Sequence, residues 1–220
     1  MAIELAITYK LQEQKHWCWA ACAAMICESY DLKRLEQRNI AAIMFGDECA
    51  RNPSSAQCNK GYDKEKIIKA YINKFNLPSC KLSLIPYPLP ILYNVIFKQK
   101  RPVQAGIIWG GGRSGHTFII HGVCGDIHNC RFLVSDPLPS ERRGSIVLYG
   151  KTWRTYQELI TAYGLGRWSY SIWGFPPLRF STYQGPCRRT YSNIWARPAV
   201  HSADQRMGRP LQDQIWPIVG

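Results

Sequence analysis

The stretch LQEQKHWCWAACAAMICESYD, residues 11–31, sets a cysteine between two tryptophans, six residues after a glutamine, where a helix begins. From Ala20 onward the chain is rich in Ala and Met and free of Gly and Pro until Gly46, which reads as helix. Lys15, His16 and Trp17 do not continue that pattern backwards, so Cys18 falls in the first helical turn. A cysteine packed only for volume could lie anywhere along an apolar face. One at a helix start meets the unpaired N–H groups and the positive end of the macrodipole. Trp19 is expected to point inward and Trp17 to wall a cleft.

Outward from that helix, residues 18–30 read as a central helix and DLKRLEQRNIAAIMFG as a second, ended by Gly46. After an Asn-, Pro- and Ser-rich loop, Asp63 is placed to cap KEKIIKAYINKF, whose apolar residues recur at helical spacing. PILYNVIFKQKR reads as another helix with Pro90 near its first turn. Then the pattern changes. PVQAGIIW, HTFIIHGV, CRFLVSD, GSIVLYG and SYSIWGF are short β-branched and aromatic runs, separated by Gly, Pro, Asn or Asp, and read as an antiparallel sheet. TWRTYQELITAY interrupts them as a short helix. Helices first and strands afterwards is the order of an α+β fold. From Pro176 onward Pro, Arg and Trp mix without periodicity, which reads as an irregular tail held to the core through Trp195 and Trp216.

The 220 residues are 46% hydrophobic and 20% charged, too apolar for disorder. No apolar run reaches the length of a membrane span. The segment MAIELAITYKLQEQK lacks the basic and apolar regions of a Sec signal peptide. The net charge is +13, and in the second half every basic residue except Lys151 is arginine. No block of like charges and no nucleic-acid-binding motif accompanies it, so nucleic acid is not expected as a partner; the basic surface fits an acidic one. Nine cysteines leave at least one unpaired within a monomer. Cys18 is the natural free one, with Cys49–Cys58 and Cys124–Cys130 as the pairs that bracket short loops.

A cysteine nucleophile needs a favoured thiolate, a base, a group that orients the base, and donors for the developing oxyanion. A helix N-terminus and a neighbouring imidazolium supply the first. Among His16, His116, His121, His128 and His201, the base candidate is His116 in GGGRSGHTFIIHGV, at the start of a strand after a glycine-rich turn. Alternation puts His116, Phe118 and Ile120 on one face and His121 on the other, where it reads as an outer-face or structural residue. Asp136 closes the next strand in FLVSDPLP. In a hairpin turning at GDIHN, His116 lies ten residues before Asp126 and Asp136 ten after it, so both reach the same end of the sheet. Asp136 would then fix the imidazole tautomer. Gln12 can reach back to the helix start and share an oxyanion hole with the Cys18 N–H, although Gln14 competes with it on spacing.

The series Q-x5-C-W-A-A, then G-H-x-F-I-I-x-G about a hundred residues on, then V-S-D-P, resembles the papain-like bacterial cysteine proteases. That family includes a plant-pathogen type III effector protease that cleaves a host immune regulator. More distantly, the series is similar to the peptidase domains of bacteriocin-exporting transporters. The resemblance covers roughly residues 10–175. It implies Cys18 as nucleophile, His116 as general base and then acid, Asp136 as orienting residue and Gln12 as oxyanion donor, with no metal and no cofactor. The implied fold is papain-like: a helical half over about 10–100, a sheet half over about 101–176, and the cleft between them. Residues 177–220 form a basic extension that matches no feature of the family. The implied function is peptide-bond hydrolysis through an acyl-enzyme. The implied substrate is a host or competitor protein, reached by a non-Sec effector or toxin route and cleaved inside a target cell. Only 17 residues precede Cys18, where the effector branch has a long N-terminal segment. The exporter branch continues into membrane helices, and none is legible here.

Three other readings compete. The same triad could act on a side-chain amide, as in a deamidase or a transglutaminase-like toxin. HGVCGDIHNC packs His121, Cys124, His128 and Cys130 closely enough to suggest zinc, but lacks a clean CxxC pair. A binding protein could carry the fold with the triad idle, against which the complete set of four residues argues.

Overall fold

The computed structural model describes residues 2–182, except 33–34, 111, 113, 140–141, 144–145 and 148. The tail expectations at Trp195 and Trp216, and His201, lie outside the described residues. Helices come first. α1 (Cys18–Ser29) is an Ala-rich helix buried from Trp19 to Cys27, with Cys18 as its first residue. α2 (Gln37–Phe45) and α3 (Glu48–Arg51) follow. α4 (Lys64–Asn73) is capped as expected, the Asp63 carboxylate accepting from the Glu65 N–H. α5 (Leu89–Phe97) has Pro90 in its first turn, where the missing N–H costs no helical bond. The second helix starts later than its sequence suggests, at Gln37 instead of Asp31: Asp31 adopts φ 55°, a left-handed backbone that closes α1 and breaks continuity.

The sheet is antiparallel throughout. Its spine is β4 (Gly115–Cys124), with β3 (Val103–Trp109) along the first part of one edge and β1 (Ala2–Leu5) beyond it. β5 (Arg131–Asp136) covers the other edge and carries β8 (Gly150–Thr155). β9 (Gly166–Trp173) flanks β3, β2 (Lys81–Ser83) flanks β9, and β10 (Phe180–Thr182) flanks β1. A separate ribbon joins β6 (Arg142–Arg143) to β7 (Ile146–Val147). The run read as one helix over TWRTYQELITAY splits. Its first residues complete β8, and only α6 (Tyr156–Ile160) is helical, started by a capping box in which Thr155 and Glu158 exchange bonds.

β4 is buried along nearly its whole length, because side chains pack on both faces of the sheet. His121 is therefore not on an outer face. It is fully buried, its Nδ1–H donating to the Leu5 carbonyl at 3.3 Å and its Nε2 accepting from the Ser135 hydroxyl at 2.9 Å. Burial, with Lys151 nearby, drives its pKa down to about 3 against the bond it donates to the Leu5 carbonyl, so it stays neutral and structural.

Cys49 and Cys58 form the expected disulfide. Cys124 and Cys130 do not pair: Cys130 is a free thiol, whereas Cys124 is disulfide-bonded elsewhere. The strand geometry explains it, since Cys130 belongs to the main core and Cys124 to a second cluster with Ala2, Leu133 and Trp153. An oxidised Cys124 and a His121 with both ring nitrogens occupied leave no zinc set in HGVCGDIHNC, and no group of metal-ligating residues occurs among the described residues. No helix among them is long and apolar enough to cross a membrane.

Candidate active site

α1 delivers Cys18 to the sheet. One turn further along, the Cys22 thiol donates to the Thr117 carbonyl at 3.4 Å, which pins the helix beside the residue that follows His116. Burial raises the pKa of Cys22 well above that of an ordinary thiol, so it is an inert packing group. Cys18 itself is half-buried at the mouth of the helix.

The hairpin of β4 and β5 supplies the next two groups. Its register pairs Ile119 with Ser135 and, beyond an irregularity at His121, Gly122 with Leu133. The turn is thus centred later than Asp126, and counting outward from that residue misplaces the partners. Continued by one residue, the register puts Asp136 opposite Phe118, on the same face as His116 and diagonal to it. The result is the contact expected from sequence: His116 Nε2 lies 2.7 Å from Asp136 Oδ1, both side chains buried. A carboxylate only accepts, so Nε2 carries the proton that Asp136 receives, which leaves Nδ1 as the other polar atom of the ring. Burial alone would lower the His116 pKa. The charge and hydrogen bond of Asp136, with the bond and charge of Cys18, outweigh it and push the imidazole up to about 10.

Gln12 is also close by, held in main chain by its N–H to the Pro137 carbonyl at 2.9 Å, one residue past Asp136. Its Nε2 donates to the carbonyls of Gln14 and Lys15 at 3.0 and 2.7 Å. Its Oε1 is buried with no hydrogen-bond partner. The carboxamide therefore braces the turn before the helix in this conformation.

Two aromatic residues escaped the sequence reading. Tyr163 donates its hydroxyl to Asp136 Oδ2 at 3.0 Å, while Oδ1 also accepts from the Leu138 N–H at 3.0 Å. Tyr163 sits at φ 63° after Ala162 at φ 45°, two consecutive left-handed residues without glycine. Such backbone costs about 1–3 kcal/mol per residue and is found where function demands it. Burial, then Asp136, raises the Tyr163 pKa well above an ordinary phenol, and Arg154, 4.8 Å from its ring, only partly offsets this. The hydroxyl thus keeps the proton it donates. Trp109 lies nearly parallel to the His116 ring, 5.8 Å away with a 14° interplanar angle. Trp109 could have been found by counting: β3 pairs Ile107 with His116, which puts Trp109 on the same face. Tyr163 left no local signal.

A family model described as the papain-like cysteine protease AvrRpt2 matches residues 1–154, well over half of the chain. The chain belongs to that family. It is a papain-like cysteine peptidase with proteins as substrates. Among solved structures, one from work on antibody cross-reactivity between the mite allergens Blo t 1 and Der p 1 aligns with a TM-score of 0.46 and 14% identity, over 78% of this chain and 68% of that one. No curated protein sequence matches the chain. The matched family segment spans Cys18, His116 and Asp136, but ends before Tyr163.

The flanking tryptophans also find their reason. Trp17 does not wall a cleft; it is fully buried, its indole N–H donating to the Cys58 carbonyl at 2.8 Å. Trp19 is buried as expected, and its indole N–H donates to the Lys60 carbonyl at 3.1 Å.

Proposed function

We propose that this peptidase hydrolyses a protein of a host or competitor cell, into which it is delivered as an effector or toxin, using Cys18, His116 and Asp136 as its catalytic residues. The observation that carries the reading is the buried imidazole of His116, 2.7 Å from Asp136 and close enough to Cys18 for the thiol to act on its pKa. The Cys18 sulfur attacks the scissile carbonyl carbon. The oxyanion is held by the Cys18 N–H at the helix start and by Gln12, one amide N–H of which leaves its local carbonyl as substrate enters. The C–N bond then breaks, His116 giving its proton to the leaving amine, and a thioester remains. Water attacks the thioester, His116 takes its proton, and the C–S bond breaks to free the acid. The same proposal assigns residues 1–176 to the protease domain and 177–220 to its extension. Its delivery and host role rest on resemblance, and its acidic-partner preference on the charge of +13.

The test is mass spectrometry of a target-cell extract incubated with the enzyme. New peptide N-termini are expected. Conversion of glutamine to glutamate without chain scission would overturn proteolysis in favour of deamidation.

Tyr163 enters this mechanism as a positioning residue for Asp136. Tyr163→Phe removes a hydrogen bond to a charged group, so kcat should fall about tenfold. Without the phenol, the Asp136 charge acts more fully on His116, and the basic limb of the pH–rate profile should move to higher pH. A reduced kcat with an unmoved basic limb would mean that Tyr163 only packs.

A further inference from the structure

From Cys49 in α3 the chain runs to Lys60, ahead of α4, through a loop closed by the Cys49–Cys58 disulfide. It has no regular structure after Arg51, yet polar groups of three consecutive loop residues, Cys58, Asn59 and Lys60, converge on His16, Trp17 and Trp19 around the nucleophile. The Asn59 Oδ1 accepts the His16 N–H at 3.1 Å, the Cys58 carbonyl accepts the Trp17 indole, and the Lys60 carbonyl accepts the Trp19 indole. The loop is internally braced, the N–H groups of Cys58 and Asn59 both donating to the Ser55 carbonyl at 2.9 and 2.8 Å. Trp19 is further fixed by ring contacts with Phe45 and Tyr62 at 5.5 and 4.8 Å. By contrast, the start of α1 has no side-chain cap of its own. Its position is set from outside.

We propose that the disulfide-closed loop is the positioning element of the nucleophile, with Asn59 as its positioning residue, so that the Cys49–Cys58 bond sets turnover without touching substrate. This rests on the reading of Cys18 as nucleophile. Both half-cystines are buried, so the bond is covered once the loop is seated. Opening it leaves Cys58 tied to the core only through its neighbours, and the two indoles lose a fixed reference. The Cys18 sulfur then samples positions off the His116 axis. Misplacement by about 1 Å is enough to cost roughly 10²-fold in rate.

The experiment compares wild type, Asn59→Ala, Asn59→Asp and the double variant Cys49→Ser/Cys58→Ser for kcat and KM on a cleaved peptide. It adds the pH profile of Cys18 alkylation and a thermal melt. Asn59→Ala should lose about tenfold in kcat and the double variant about 10²-fold, with KM nearly unchanged in each. Alkylation below neutral pH should slow in parallel. Asn59→Asp keeps an acceptor for the His16 N–H and should restore kcat. The proposal is overturned if Asn59→Ala keeps wild-type kcat, if Asn59→Asp fares no better than Asn59→Ala, or if kcat loss merely tracks the melt while alkylation stays fast. Should the double variant not fold, the Asn59 pair decides alone. A Cys18→Ala variant that still hydrolyses would instead sink the nucleophile reading and leave the loop's contacts as packing.

Discussion

Cys18→Ala is expected to lower peptide hydrolysis by about 10⁶-fold, to the level that binding and oxyanion donors sustain without a nucleophile. The substitution removes one half-buried sulfur from the first turn of α1 and puts in its place the best helix former, so the fold should survive. Near-silent stability and collapsed rate are the signature of a reacting atom. The measurement is initial rate on a cleaved peptide, with a thermal melt beside it. Hydrolysis within about a hundredfold of wild type would exceed what the loss of a covalent nucleophile allows and would overturn the assignment.

His116→Ala should be felt at Cys18 before any substrate is present. Burial works against the imidazolium, but Asp136 and Cys18 outweigh it and hold the pKa near 10, so the ring is charged throughout the neutral range and faces the sulfur. Alkylation of Cys18 by iodoacetamide should accordingly be fast at pH 5–6 in wild type. In the variant it should fall by about 10²–10³-fold there and recover only where an ordinary thiol ionises, near pH 8.5. The rate must be read on the Cys18 peptide, because Cys22, Cys27, Cys80 and Cys130 are also free, although buried. The sign for stability follows from the same shift. His116 binds its proton more tightly folded than unfolded, so its contribution is complete below about pH 6.5 and is lost as pH rises through about 10. Identical labelling profiles in the two proteins would return Cys18 to the status of a common thiol.

Much of this was legible because the signals are local. The switch from helical to β-rich runs after Arg101, the cap at Asp63, Pro90 in a first turn and Cys18 at a helix start are each read within a few residues. What escaped depends on distant pairing. β1, β2 and β10 are three or four residues long, and pairing with a sheet built elsewhere defines them. Thr152, Trp153 and Thr155 are strand-favouring types at the head of a helical pattern, and it is pairing with β5 that decides for strand. The capping box at Thr155 and Glu158 was present in the sequence and marks where helix truly begins. The disulfide choice at Cys124 failed because sequence proximity says nothing about which face of a sheet a side chain takes. Tyr163 reaches Asp136 through a left-handed turn in which Ala162 and Tyr163 precede Gly164, and nothing in that run points to a partner 27 residues away in sequence.

The bond from the Gln12 N–H to the Pro137 carbonyl joins the strand end that carries Asp136 to the segment that leads into Cys18. It runs between peptide groups, as does no other tie between those two segments described above, and any residue but proline at position 12 can make it. The spacing between the segment that leads into Cys18 and the strand end that carries Asp136 is therefore written in main chain, which only a proline at position 12 would edit. Side chains around Cys18 and Asp136 can drift over evolutionary time while the gauge between the two stays the same.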